Sequence, residues 1–262
     1  MFFRSLVELV QSRWFTSNRE SANVRQRRTP NLQLTLLERR RVLNADVQFD
    51  PGQHSLVLSG FSGGAGAAIV VKDSTLPLGV DAVRFEISAA GDAFNDLSLS
   101  GLGATDAVLS EGGRILDVDK SLFSFDFSSL KLVGVPSGFG VSFDGAKLSD
   151  IQQVSVVSAG QVTVKDSSFG SALEVTALEI DFKGTVSGTG SLAVAADAAV
   201  TAIHVGGADD SPADAVLDIS KGDLAVIDGR FSQLKIGGDL NALPLTLEGG
   251  KFNIGLALNS QI

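Results

Sequence analysis

After residue 50, hydrophobic positions come in short runs, and Gly, Asp or Ser separates one run from the next. Many runs alternate apolar and polar residues, which is the period of a half-buried β-strand. Strands at this close spacing are typical of an all-β domain. The pattern predicts strands at 56–59, 68–71, 83–88, 97–102, 115–118, 122–135, 139–143, 153–157, 162–164, 173–182, 192–194, 200–205, 215–219, 224–227, 231–236, 243–247 and 252–258. No stretch has the periodicity of a capped two-turn helix, so we expect no such helix in this region.

Several short motifs recur along the predicted strands. The tetrapeptide Val-Lys-Asp-Ser at 71–74 recurs at 164–167, and Glu-Ile at 86–87 recurs at 179–180, in both cases 93 residues later. Phe-Ser-Ser-Leu-Lys-Leu at 127–132 recurs as Phe-Ser-Gln-Leu-Lys-Ile at 231–236. Recurring strands joined by tight Asp-Gly or Asp-Ser turns favour a parallel β-solenoid, in which inward side chains stack from rung to rung. The separation then predicts about four rungs of about 23 residues.

The alternative architecture is a tandem pair of β-sandwich modules, because the repeat separation is also close to the size of one immunoglobulin-like domain. Tandem modules predict a linker or a Pro-rich boundary near residues 135–160. Only the Val-Pro-Ser-Gly segment at 135–138 has that character. The solenoid is therefore the favoured prediction.

Charge divides the chain into two parts. Residues 1–45 contain nine Arg and three Glu, a net charge of +6, which leaves −15 for residues 46–262 out of a total of −9. The acidic part repels phosphate backbones, so we expect no nucleic-acid partner. The chain has no Cys, which excludes disulfides, zinc–thiolate sites and cysteine nucleophiles. Tyr is absent and Trp14 lies in the basic part, which disfavours glycan binding by aromatic stacking.

The basic part, residues 1–45, is predicted to be a targeting-like leader ahead of a repetitive β domain at 46–262. Residues 16–30 are rich in Ser, Asn, Gln and Arg, a composition that predicts disorder. The first ten residues are apolar but are interrupted by Arg4 and Glu8. They match neither an ordinary secretory signal nor a transmembrane span of about 20 apolar residues.

A short motif lies at the end of the leader. Leu37, Glu38, Arg40 and Leu43 form a Leu-Glu-x-Arg-x-x-Leu core behind the arginine-rich segment. This core resembles the LEPR-XLL-type motif of large exported surface proteins of planctomycete-type bacteria, with Arg39 in place of the proline and Val42 in place of a leucine. The resemblance implies export and display outside the cytoplasm, and it implies no catalysis. An amphipathic helix, with the leucines packed and the arginines in water, is the alternative interpretation.

Two glycine-rich segments resemble catalytic or nucleotide-binding motifs. Residues 60–64 satisfy G-x-S-x-G, the nucleophile elbow that requires a helix to follow it. Residues 64–69 begin like a dinucleotide-binding loop but have Ile69 where the third glycine belongs. Because strand-like residues follow and no β–α alternation is present, we interpret both segments as turns. We predict no catalytic residue and no bound cofactor.

The remaining candidate chemistry rests on carboxylates and on two histidines. Asp209, Asp210 and Asp214 flank a Gly-Gly turn and supply the oxygen ligands that calcium prefers, so a calcium site there is a hypothesis. A solvated acidic loop is the alternative. His54 and His204 have no second strong ligand at metal spacing.

A carbohydrate-active enzyme would need clustered acids with a basic partner in one groove of the solenoid. Asp117, Asp119 and Lys120 are the residues that best fit this requirement, because the two carboxylates share one face of a predicted strand.

The sequence as a whole predicts a non-catalytic, exported structural or adhesive module of the cell surface or extracellular matrix. A polysaccharide-acting β-helix enzyme and a calcium-binding β-repeat module are the alternatives. The strand pattern runs to the last residues, so we expect either the first part of a longer protein or self-association through an open solenoid end.

Overall fold

The computed structural model describes residues 45–63, 66–88, 93–94, 101–103, 105–124, 128–136, 138–208, 215–227, 230–238, 245–247 and 255–260. Strands dominate these residues and confirm the predicted all-β class. They are β1 (Asp46–Asp50), β2 (Ser55–Ser59), β3 (Ala68–Leu76), β4 (Val80–Ile87), β5 (Ala107–Ser110), β6 (Ile115–Asp119), β7 (Ser129–Leu132), β8 (Gly140–Asp144), β9 (Lys147–Leu148), β10 (Gln153–Lys165), β11 (Ser168–Phe169), β12 (Ala172–Lys183), β13 (Ser187–Gly188), β14 (Ser191–Ala196), β15 (Ala202–Val205), β16 (Val216–Ile219), β17 (Gln233–Gly238), β18 (Leu245–Leu247) and β19 (Gly255–Ser260). One α-helix, α1 (Lys221–Ile227), and three 3₁₀ helices, Pro77–Gly79, Glu111–Gly113 and Lys120–Phe123, complete the described elements.

Seven strands pair in parallel and in one register, and we call this set the main ladder. Its order is β2, β7, β10, β12, β14, β17 and β19. One apolar row crosses all seven strands and contains Leu56, Leu130, Val154, Leu173, Leu192, Leu234 and Leu256. The first six of these side chains are fully buried. Apolar residues at every second position therefore form one stacked inner face.

In the middle of the main ladder, successive parallel partners are close in sequence. Gln153 pairs with Ala172, and Ala172 pairs with Ser191, so each of these two steps takes 19 residues of chain. The chain between these partners contributes to further ladders. β3, β8 and the second halves of β10 and β12 form one of them, in which Val71, Phe143, Val164 and Phe182 stack. β9, β11 and β13 form another, and β16, β15 and β18 a fourth. The result is a curled sheet with its core inside the curve.

The turns after the second ladder confirm part of the turn prediction. Gly145, Asp166 and Gly184 follow successive strands and have left-handed φ values of 67°, 48° and 66°. Glycine adopts this conformation without steric cost, and Asp tolerates it better than most residues. The first copy of the tetrapeptide is different, because β3 continues through Asp73 to Leu76. The prediction of a turn at Asp73 is therefore wrong.

The N-terminal strands depart from the uniformly parallel arrangement that the repeats predicted. β1 pairs antiparallel with β2, β4 pairs antiparallel with β3 and β6, and β5 pairs antiparallel with β6. The linker from β3 to β4 is only Pro77–Gly79, too short for a parallel crossover. Because this antiparallel insertion takes up part of the chain, the 93-residue separation of Val71 and Val164 corresponds to two ladder steps, through Phe143, and not to the four rungs predicted from the sequence.

The strand predicted at 224–227 is wrong, because these residues lie in α1. The helix begins with a reciprocal capping box. The backbone N–H of Asp223 donates to Ser220 Oγ at 3.1 Å, and the Ser220 N–H donates to Asp223 Oδ2 at 2.9 Å. The Ser-x-x-Asp spacing was a readable signal for this helix. The two strands predicted at 153–157 and 162–164 form one strand, β10, with a register shift between Val156 and Ala159.

Candidate functional site

A polar cleft of about 570 Å³ lies on the outer surface of β1, β2 and β7. Its floor is a row of register partners, Gln48, Val57 and Lys131. These side chains point outward because they alternate with buried neighbours such as Leu56 and Leu130. The volume falls within the range of ligand pockets in proteins.

The wall of the cleft is the β1–β2 turn, and local hydrogen bonds hold it in place. Asp50 Oδ1 accepts the N–H of Gly52 at 2.8 Å and the N–H of Gln53 at 3.2 Å. Pro51 restricts its own φ between them. On the floor, Ser129 Oγ lies 2.8 Å from Ser55 Oγ, which ties β7 to β2. These hydrogen bonds hold the Asp50 carboxylate and the Ser55 hydroxyl of the cleft in position.

Lys131 is the basic group of the cleft. Its side chain is half-buried, and none of the ion pairs in the described ranges involves it. Lys131 has a repeat equivalent in Lys235, four ladder steps away in the same outward row. Lys235 does not line the cleft, because no β1–β2 turn stands beside it. The two lysines thus occupy equivalent positions on their strands, but only Lys131 lines the cleft.

The acidic pair predicted as a possible enzyme site is divided between two structural roles. Asp117 is nearly buried and accepts a two-fold hydrogen bond from Arg84, with Nε–Oδ1 at 2.8 Å and a second N–O contact at 3.0 Å. The hydrogen bond and charge of Asp117 raise the pKa of Arg84. Asp119 instead caps the following 3₁₀ helix by accepting the N–H of Ser121 at 2.7 Å. The two carboxylates share one strand face, as expected, but each has its own partner.

Lys120, the third residue of that prediction, pairs with Asp73. Its ammonium lies 2.6 Å from Asp73 Oδ1, which also accepts the backbone N–H of Lys147 at 2.9 Å. Asp73 therefore joins three segments that are far apart in sequence. This is the contact set of a structural ion pair.

The two histidines lie in different surroundings. His54 is in the β1–β2 turn, with a left-handed φ of 47°. His204 lies on β15, as its alternation predicted, with Asp218 and Thr246 as register partners on the adjacent strands. Its Nδ1 is 3.5 Å from Oδ1 of Asp218, a side chain that is 2% exposed. Within the described ranges, no group of three or more His, Asp or Glu residues is arranged to hold a metal ion.

The pKa of the Asp223 carboxyl group is raised above its ordinary value. Burial is the main cause, and the nearby charge of Asp181 adds to it. Three donors act in the opposite direction: the Phe182 N–H at 2.6 Å and the N–H and hydroxyl of Ser220 at 2.9 and 2.7 Å. Asp223 thereby joins the N-terminus of α1 to β12. Asp223 was not among the residues predicted from the sequence, although the Ser-x-x-Asp spacing marks its position.

The other predicted residues lie before or within β3 or outside the described ranges. Residues 60–63 of the G-x-S-x-G segment are not helical, whereas Ala68 and Ile69, which were predicted to lie in a turn, belong to β3. The proposed calcium ligands Asp209, Asp210 and Asp214 lie outside the described residues. The motif residues Leu37, Glu38, Arg40 and Leu43 also lie outside them.

Comparison of this chain with protein-family models, curated proteins and solved structures finds no match. In the described part of the chain, no helix has the length and apolar character needed to span a membrane.

Proposed function

We propose that this chain is a non-catalytic structural or adhesive module of the cell surface or extracellular matrix, built as a parallel β-solenoid. The observation that carries the proposal is the single register of the main ladder through seven strands. A rigid stack of this kind presents its outer side chains in straight rows about 4.8 Å apart. Function then depends on a fixed surface that other molecules contact.

The parallel registers favour the solenoid over tandem sandwiches. Sandwich modules are antiparallel and place their repeats in separate cores. Here residues 129–132 and 233–236 of the two repeated hexapeptides fall in one ladder, with Ser129, Gln153, Ala172, Ser191 and Gln233 in a single row. Parallel partners only 19 residues apart are typical of a coil that returns to the same face once per rung. The antiparallel strands β1 and β4–β6 then serve as a cap at the N-terminal end of the coil.

The partners of the acidic residues support a structural role for them. Asp117, Asp73 and Asp223 each accept hydrogen bonds that join separate segments of the chain. A polysaccharide-acting enzyme needs two carboxylates available to one substrate. The division of Asp117 and Asp119 between Arg84 and a helix cap makes that alternative the weaker one.

Export is the second part of the proposal, and it rests on the leader. The resemblance of residues 37–43 to the motif of planctomycete-type surface proteins supports display outside the cytoplasm. We further propose that β19, which pairs with β17 alone among the described strands, pairs with a strand of a second copy of the chain. Backbone groups at the edge of a sheet favour such pairing.

Fractionation of the native cells tests the location. We expect the protein in the surface or matrix fraction and not in the cytosol. Recovery in the cytosol alone, with a cytosolic marker enzyme as the control, would contradict the proposal.

A further inference from the structure

We propose that the cleft formed by β1, β2 and β7 is a binding site for a neutral polysaccharide. The proposal rests on the proposed function, because it names the kind of matrix component that the module would contact. The cleft joins a backbone turn, a strand edge and the first rungs of the main ladder in one concave surface. Its lining is Gln48, Phe49, Asp50, Pro51, Gln53, Ser55, Val57 and Lys131.

The chemistry of the lining fits a chain of hydroxyl groups. Gln48 and Gln53 each offer an amide donor and an amide acceptor, Asp50 offers carboxylate acceptors and Lys131 offers three donors. A sugar hydroxyl donates one hydrogen bond and accepts others, so adjacent hydroxyls need donors and acceptors side by side. The cleft supplies both kinds of group within one register row and the turn beside it.

The Asp50 carboxylate is also held in position, which lowers the entropy lost when it binds a ligand. One oxygen of Asp50 is fixed by the N–H groups of Gly52 and Gln53, and no hydrogen bond within the described ranges engages the other oxygen, Oδ2. The backbone of Lys131 pairs with Val57 and Ser155 in the ladder, and no ion pair within the described ranges involves its ammonium group. Asp50 and Lys131 therefore have capacity left for a ligand.

A neutral polymer fits better than an anionic one. Residues 46–262 carry a net charge of −15, which repels a polyanion at long range. The cleft itself contains one acid and one base, so it has no excess positive charge to compensate. The lining contains no Tyr or Trp, which means that binding depends on hydrogen bonds and is weak at a single site. A polymer that presents many copies of its unit overcomes this weakness by multivalent contact.

Affinity gel electrophoresis of the full chain tests the proposal. The gels contain a soluble neutral β-1,4-glucan derivative (hydroxyethylcellulose), a neutral galactomannan, or polygalacturonate as the anionic comparison. We expect at least one neutral polymer to retard the protein and polygalacturonate to have no effect. Lys131→Ala should weaken the interaction about tenfold, as expected for loss of a hydrogen bond from a charged donor. Lys235→Ala is the matched control, and the polymer should retard it, relative to a polymer-free gel, as much as it retards the unmodified chain.

Three results would overturn the inference: no retardation by either neutral polymer, equal weakening by both lysine substitutions, or retardation by polygalacturonate alone. Far-UV circular dichroism of each variant confirms that the fold is kept, and Gln53→Ala provides a second cleft variant if Lys131→Ala is unstable. Failure here is distinguishable from failure of the proposed function. A surface-located protein that binds neither polymer contradicts only the cleft assignment, whereas a cytosolic protein contradicts the surface module whatever it binds.

Discussion

Gly190 provides a direct test of how closely neighbouring segments of the main ladder approach each other. The chain turns at Gly190 just before β14, and a Cβ atom there would lie 1.8 Å from the carbonyl oxygen of Ser171, one ladder step away. That oxygen accepts the N–H of Ser191 at 2.9 Å, and the Gly190 carbonyl accepts the N–H of Ser232 at 2.9 Å. A methyl group at Gly190 must therefore push apart segments that hydrogen bonds hold together.

The expected magnitude follows from this geometry. An ordinary contact at a Cβ is 3.4 Å or more, so Gly190→Ala requires a separation of the two segments by about 1.6 Å. Overpacking of this kind destabilises proteins by about 1–3 kcal/mol, and a weakened ladder hydrogen bond adds about 1 kcal/mol. We therefore expect Gly190→Ala to lower the free energy of unfolding by about 2–4 kcal/mol.

Gly138→Ala is the matched control. A Cβ at Gly138 meets no atom within 4 Å, and neither Gly138 nor Gly190 has a left-handed φ. The effect of alanine on the unfolded chain is the same in both variants and cancels in the comparison. Urea denaturation followed by far-UV circular dichroism is the assay, because the only tryptophan is Trp14 of the leader. Free energies of unfolding that agree within about 0.5 kcal/mol for Gly190→Ala and Gly138→Ala would refute the close approach of Gly190 to Ser171.

Three further predictions concern charged groups. Arg84→Ala leaves the nearly buried Asp117 without its bidentate donor and should lower the free energy of unfolding by about 2–3 kcal/mol. Lys72→Ala breaks the ion pair with Glu86, whose two side chains are 36% and 39% exposed, and should lower it by about 0.5 kcal/mol in the same urea assay. Equal effects of the two substitutions would contradict the difference in burial. Burial raises the pKa of Asp223 in the folded state. As pH falls, the folded chain therefore binds this proton before the unfolded chain does. Asp223 thus stabilises the fold at low pH, and this contribution is lost as pH rises through the folded pKa. The chain should therefore gain stability relative to Asp223→Asn between pH 7 and pH ~4, and a difference between the two that stays constant across this window would contradict the assignment. If Asp209, Asp210 and Asp214 bind calcium, millimolar calcium should raise the thermal melting temperature and Asp210→Asn should reduce that rise; an unchanged melting temperature would contradict the hypothesis.

The strand content was predictable because it depends on local alternation. Apolar residues at every second position, Leu173, Val175 and Ala177 in β12 and Leu192 and Val194 in β14, mark the buried face of these strands directly. The repeated hexapeptides were also informative, since Leu130 and Leu234 occupy the same row. Local patterns were sufficient wherever the fold repeats a local unit.

Other features depend on contacts that a local pattern does not contain. The two Val-Lys-Asp-Ser copies are alike in sequence, yet Asp73 continues a hairpin strand while Asp166 turns a corner. The difference comes from β4, which pairs with the first copy only. At 224–227 a short apolar run was ambiguous between strand and helix, and the capping box at Ser220 decided it.

The cleft was not predictable for a similar reason. It requires Gln48 and Lys131 to lie in one row, although they are far apart in sequence. Nothing in the residues near either position specifies that register. The acidic pair at Asp117 and Asp119 shows the converse: its shared strand face was predictable, but its structural partners Arg84 and Ser121 were visible only in the fold.

The central claim is that distant repeats of this chain stack in one parallel coil, and a pair of distances between spin labels tests it most directly. The chain has no Cys, so labels at Lys131→Cys with Lys235→Cys, and at Val57→Cys with Lys235→Cys, are unambiguous. The first pair spans four ladder steps and the second pair five.

Since each step is about 4.8 Å, we expect backbone separations of about 19 Å and about 24 Å, with the second longer by one strand spacing. Pulsed electron–electron double resonance measures both in solution. Two narrow distributions in this order would support the stacked coil. A Lys131–Lys235 distance above about 30 Å, as separate modules would give, would contradict it.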